Sequence, residues 1–185
     1  FPDVPRHLAG HDPRTMRRRT LAADDTAPVR IFSEMGASSN ISAEQYAKRG
    51  AAVLAFARAI SMQRPVELLA CHVCKDSSGP IDYVSRVLIW SCRLSVAPLN
   101  LSLAAAWLCH VGVYRGALVS LPQREHGFDN AGYTAKSAEM PTVRTILNLS
   151  PDDVYIPGCF DGDPIIDDPE NWLTQALTEA RLMGQ

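Results

Sequence analysis

At 185 residues, with 46% hydrophobic and 21% charged side chains, the chain has the size and composition of one globular domain that buries its own core. Its formal net charge of −2 excludes a global pull toward nucleic acid or an anionic membrane, though it leaves room for a local basic patch. Five scattered cysteines argue against a disulfide framework and lead us to expect a reducing compartment, cytoplasmic or virion-associated.

Residues 1–27 read as an irregular N-terminal segment, because Pro2, Pro5 and Pro13 interrupt any ladder or helix and Gly10 adds a turn. Within it, Arg17, Arg18 and Arg19 form a small basic cluster, either a solvated face or a set of phosphate contacts. The chain starts at Phe1 rather than Met, so we expect a fragment or processed product with further partners or domains upstream.

Residues 28–185 read as a single α/β domain. Val29-Arg30-Ile31-Phe32 has a strand pattern and breaks into the small-residue loop Glu34 to Asn40. A helix is expected from Ser42 to Ser61, with Ser42 as N-cap and Gln45 completing a capping box. Its apolar stripe is Tyr46, Ala47, Gly50, Val53, Leu54, Phe56, Ala57 and Ile60, with Lys48, Arg49 and Arg58 assigned to the wet side. Pro65 to Cys71 returns as a second strand, which makes a parallel pair with the first. After a turn at residues 75–80, a third strand is expected over residues 82–90, antiparallel and at an edge.

The apolar run Leu101 to Leu121 is long enough on paper to cross a bilayer, but His110, Arg115, Gly112 and Gly116 interrupt it. It reads as a deeply buried helix over residues 101–114 followed by a strand at 117–121, and no membrane partner is expected. Residues 122–141 read as a long polar loop, residues 142–149 as either strand or helix, and Val154 to Gly158 as a last short strand. An acidic loop, Asp161 to Asp168, leads into a final helix over residues 169–183, started by Pro169 and Glu170. The element order implies an open, mostly parallel sheet with helices on both faces and one antiparallel edge strand.

The strand, the loop Glu34-Met35-Gly36-Ala37-Ser38, the following helix and the antiparallel third strand resemble a von Willebrand factor A-type domain, a Rossmann-like fold. The resemblance covers residues 28 to about 114 and rests on topology more than on motif. It implies a metal-dependent adhesion site, Asp-x-Ser-x-Ser, at Glu34, Gly36 and Ser38. Glu34 is longer than the family's Asp and Gly36 offers no side-chain ligand, so what the resemblance implies is a degenerate site for Mg²⁺ or Ca²⁺. The pattern Arg49 to Leu54 followed by Pro65 to Leu68 also resembles an uncharacterised group of phage-encoded proteins, which brings no activity with it.

Other groups each have a structural and a functional reading. Cys71-His72-Val73-Cys74 has zinc-like spacing, but strand alternation splits its side chains between two faces and no second close pair completes four ligands. Asp161 and Asp163 read as a divalent-cation loop or as a solvated turn that caps the last helix. Arg124 and Tyr133, in the long polar loop, read as a surface tuck or as a partner or nucleic-acid contact. No nucleophile elbow, dinucleotide fingerprint or phosphate loop is present, which argues against an enzyme. The expected function is therefore a non-catalytic protein-interaction domain, a phage or mobile-element assembly component whose partner is another protein. The alternatives are a metal-dependent binder or hydrolase using the Glu34–Ser38 loop, and a nucleic-acid-binding protein.

Overall fold

A computed structural model of the chain describes residues 27–75, 87–95, 98–113, 116, 124 and 140–182. Four strands form one sheet in the order β3-β2-β1-β4. They are β1 (Val29–Glu34), β2 (Val66–Lys75), β3 (Val87–Ser95) and β4 (Val154–Ile156). β1 runs parallel to both β2 and β4, and only β3 is antiparallel. The fold is thus an α/β sheet, mostly parallel, with one antiparallel edge strand, as its strand and helix patterns predict.

The crossover between β1 and β2 is helix α1 (Ala43–Ser61). Its start is fixed as the sequence suggests. Gln45 N–H donates to Ser42 Oγ at 3.1 Å, and Ser42 N–H donates to Gln45 Oε1 at 2.9 Å, which satisfies two of the helix's open donors. Tyr46, Val53, Phe56 and Ala57 then bury against Val29, Ile31, Leu68 and Ala70. Those strand residues lie two apart, so they share one face of the pleat. Burying each large side chain of this set contributes roughly 1.5–3 kcal/mol.

Two helices support α1 from other sides. α2 (Leu101–Leu108) is capped by Asn100, whose side chain accepts from Leu103 N–H, and it packs on α1 through Leu108 and Ala104. The contact is close, because a Cβ on Gly50 would stand 2.3 Å from the Leu108 carbonyl oxygen. Only a residue without a side chain lets the two helices meet here. α6 (Pro169–Leu182) lies along α1, with the Trp172 and Phe56 rings 6.0 Å apart. Three short helices complete the described residues: α3 (Val111–Val113), α4 (Met140–Ile146) and α5 (Pro164–Asp167).

The opposite face of the sheet carries Phe32, Leu69, Val73 and Tyr155, and there Val143 of α4 meets Val73, with Ile89, Leu147 and Tyr155 around the contact. Residues 142–149, open between strand and helix in the sequence, are helical as far as Ile146.

The third strand ends later than expected, at Ser95 rather than residue 90, while residues 82–86 lie outside the described residues. The alternation Ser91-Cys92-Arg93-Leu94 continues the ladder, pairing Cys71 with Ser91 and Leu69 with Arg93. The helix expected over residues 101–114 stops at Leu108 with Cys109 as its C-cap, and α3 follows as a separate turn. Nor is it deeply buried throughout: Leu101 and Leu103 are 36% and 45% exposed, while Ala104 and Leu108 are fully buried. Among the described residues no helix is long and apolar enough to cross a membrane. The expected strand at 117–121 and nearly all of the 122–141 loop lie outside the described residues, as does the segment 1–26.

Candidate functional site at the fork of the parallel strands

In open α/β sheets, ligands gather where loops leave the carboxyl ends of neighbouring parallel strands. β1 and β4 make such a place. Their ladder runs to Ser33↔Ile156, breaks, and resumes as an isolated bridge at Ala37↔Cys159. Between those points β1 contributes Glu34, Met35 and Gly36, and β4 contributes only Pro157 and Gly158. One extra residue on one strand is a bulge, and it strands backbone groups that the ladder would have paired. Pro157 worsens the mismatch, because it has no N–H to give.

Side chains from both faces repair the break. From α1, Arg49 Nη2 donates to Glu34 O and to Pro157 O, each at 2.7 Å. From the sheet itself, Glu34 Oε2 accepts from Tyr155 Oη at 2.5 Å and from Gly158 N–H at 3.3 Å. The backbone beyond is stitched by Ser38 N–H to Cys159 O and by Cys159 N–H to Gly36 O. Tyr46 Oη adds a 3.2 Å bond to Met35 O. Arg49 and Glu34 are both fully buried. A charge out of water persists only with a counter-charge or well-placed dipoles; here the Arg49 guanidinium is met by two backbone carbonyls, and the Glu34 carboxylate by the Tyr155 hydroxyl and the Gly158 N–H.

The electrostatics show the same grouping. Burial pushes the Cys71 thiol well above its ordinary value, the Glu34 charge pushes it further, and Arg49 opposes both. Burial likewise raises Cys159, against Arg49 and with help from Asp163 and Glu34. Burial and then Glu34 hold the Tyr155 phenol far above its usual range. Both thiols and the phenol are therefore protonated at neutral pH and are poor nucleophiles. The Nε and Nη1 groups of Arg49 and the Ser33 hydroxyl, all buried, have no hydrogen-bond partner among the described residues.

Of the residues singled out in the sequence, Glu34 lies in this cluster, but as an acceptor for Tyr155 and Gly158. Ser38 is drawn to Cys159 through its backbone. Asp163 Oδ2 accepts from Phe160 N–H at 2.7 Å and closes the turn ahead of α5, whereas Asp161 is exposed. Cys71 and His72 occupy successive positions of β2, which continues to Lys75, so the pleat turns them to opposite faces as alternation requires. Among the described residues, no group of three or more His, Cys, Asp or Glu is placed to hold a metal ion. Arg124 is an exposed helical residue, and Arg17, Arg18, Arg19 and Tyr133 lie outside the described residues.

Arg49 is the correction. Assigned to the wet side of its helix, it is instead 0% exposed. The available signal is its spacing: Arg49 falls three residues after Tyr46, four before Val53 and seven before Phe56, on the buried stripe itself. Tyr155 was missed as a site residue because its partner Glu34 is 121 positions away, and no local pattern joins them.

Comparison with known proteins places this fold in a family. The model described as "Domain of unknown function (DUF7192)" matches residues 1–183, so the chain belongs to the DUF7192 family. No curated protein and no solved structure matches it.

Proposed function

We propose that the domain is a non-catalytic interaction module that binds another protein through the loops at the carboxyl ends of its parallel strands, as part of a larger assembly. One observation carries this reading. Arg49 Nη2, the Glu34 carboxylate and the Tyr155 hydroxyl, at the fork where a sheet of this class would place its chemistry, are engaged in holding β1 and β4 together. What the same loops offer to solvent includes an apolar ring, Phe160, 38% exposed directly after the Ala37–Cys159 bridge. Aromatic side chains on a rigidly anchored loop are good anchors for a protein partner. A role in a phage or mobile-element particle is a narrower form of this proposal, and its support is the sequence pattern at residues 49–54 and 65–68 alone.

The test places a photo-crosslinking amino acid at position 160 of the full chain, expressed in its native source, with position 58 on the exposed side of α1 as the control. A single protein adduct at 160 and none at 58 supports the reading. Adducts to nucleic acid, equal labelling at both positions, or no adduct at either would overturn it.

A further inference from the structure

We draw no further inference here: the strongest candidate, the wholly buried guanidinium of Arg49 at the fork between β1 and β4, with its Nε and Nη1 groups unpartnered among the described residues, belongs to the site already described, and nothing in the structure shows how a ligand would reach it.

Discussion

Arg49 performs with one side chain what the ladder between β1 and β4 fails to do with backbone. Its Nη2 serves two carbonyls that a bulge has left without partners, one on each strand. Replacing it removes both bonds and leaves two carbonyl acceptors, the buried one of Glu34 and the part-buried one of Pro157, without their donor. Each such loss costs about 1–3 kcal/mol. We therefore expect Arg49→Met to lower the unfolding free energy measured in urea by at least one such loss, and Arg58→Met, on the exposed side of the same helix, to change it by less than about 0.5 kcal/mol. Equal effects would remove Arg49 from its role. Tyr155→Phe deletes only a donor to Glu34, so its expected cost is smaller, about 1–3 kcal/mol. A second ionic contact sits at the other end of β4. Arg30 donates to both carboxylate oxygens of Asp153, and Ser150 N–H adds a bond at 2.6 Å. Burial favours the neutral acid at Asp153, but the bonds from Arg30 and Ser150 outweigh it and hold the group below its ordinary value of 3.8. A depressed carboxylate stabilises the fold fully above that ordinary value, and the contribution fades as pH falls below it. Chemical denaturation at pH 6 and pH 3 should thus show a loss on acidification that is smaller in Asp153→Asn. An unchanged loss would mean that other carboxylates govern acid stability.

Between residue and domain, the decisive element is α1, which touches the sheet, α2 and α6 at once. Its amphipathic pattern and capping box are local, and both were readable from spacing alone. Ser42→Ala should cost about 1 kcal/mol, measured by thermal unfolding, since it leaves the Gln45 N–H without its acceptor. Gly50 makes a sharper test, because two effects compete there. In an isolated helix Gly→Ala is favourable by about 1 kcal/mol. Here the added Cβ would meet the Leu108 carbonyl at 2.3 Å and the Cys109 sulfur at 2.7 Å. The carbonyl is backbone and cannot swing aside, so α2 must move as a unit. Overpacking of this kind typically costs about 1–3 kcal/mol and exceeds the propensity gain. Gly50→Ala should therefore lower Tm. A rise would show that α2 yields easily and is only loosely docked, which would agree with the exposure of Leu101 and Leu103. Small residues on α1 hinted at a close approach in the sequence, but pointed to the sheet. That the neighbour is α2 depends on how separate segments dock, which periodicity does not encode.

For the molecule as a whole, what was legible follows a simple division. Parallel pairing of β1 with β2, and the antiparallel edge at β3, follow from short-range patterns and from the connection between each pair. The place of β4 beside β1 does not, because Val154-Tyr155-Ile156 is a three-residue strand whose partner lies more than a hundred residues earlier. The fork inherits that difficulty: Glu34, Arg49, Tyr155 and Pro157 come from three elements that only the completed sheet brings together. The same topology predicts an order of stability. β1 is hydrogen-bonded on both sides, to β2 over six residue pairs and to β4 over three. Residues 31–33 thus lie where both ladders overlap, and their amides should open only with global unfolding. β4 pairs on one side among the described residues, and beyond it the connection rests on the Arg49 and Glu34 bonds and the isolated Ala37–Cys159 bridge rather than on a continuous ladder. In native-state hydrogen exchange of the full chain, residues 31–33 and 68–70 should be the slowest, and residues 154–159 should exchange measurably faster. Arg49→Met should widen that gap by freeing the fork, lowering protection at Gly158 and Cys159 well beyond the global loss of stability. If protection at 158 and 159 fell only in step with protection at 31–33, β4 and the fork would unfold as one unit with the core, and the guanidinium would be a general core contact rather than the clasp that joins the fourth strand.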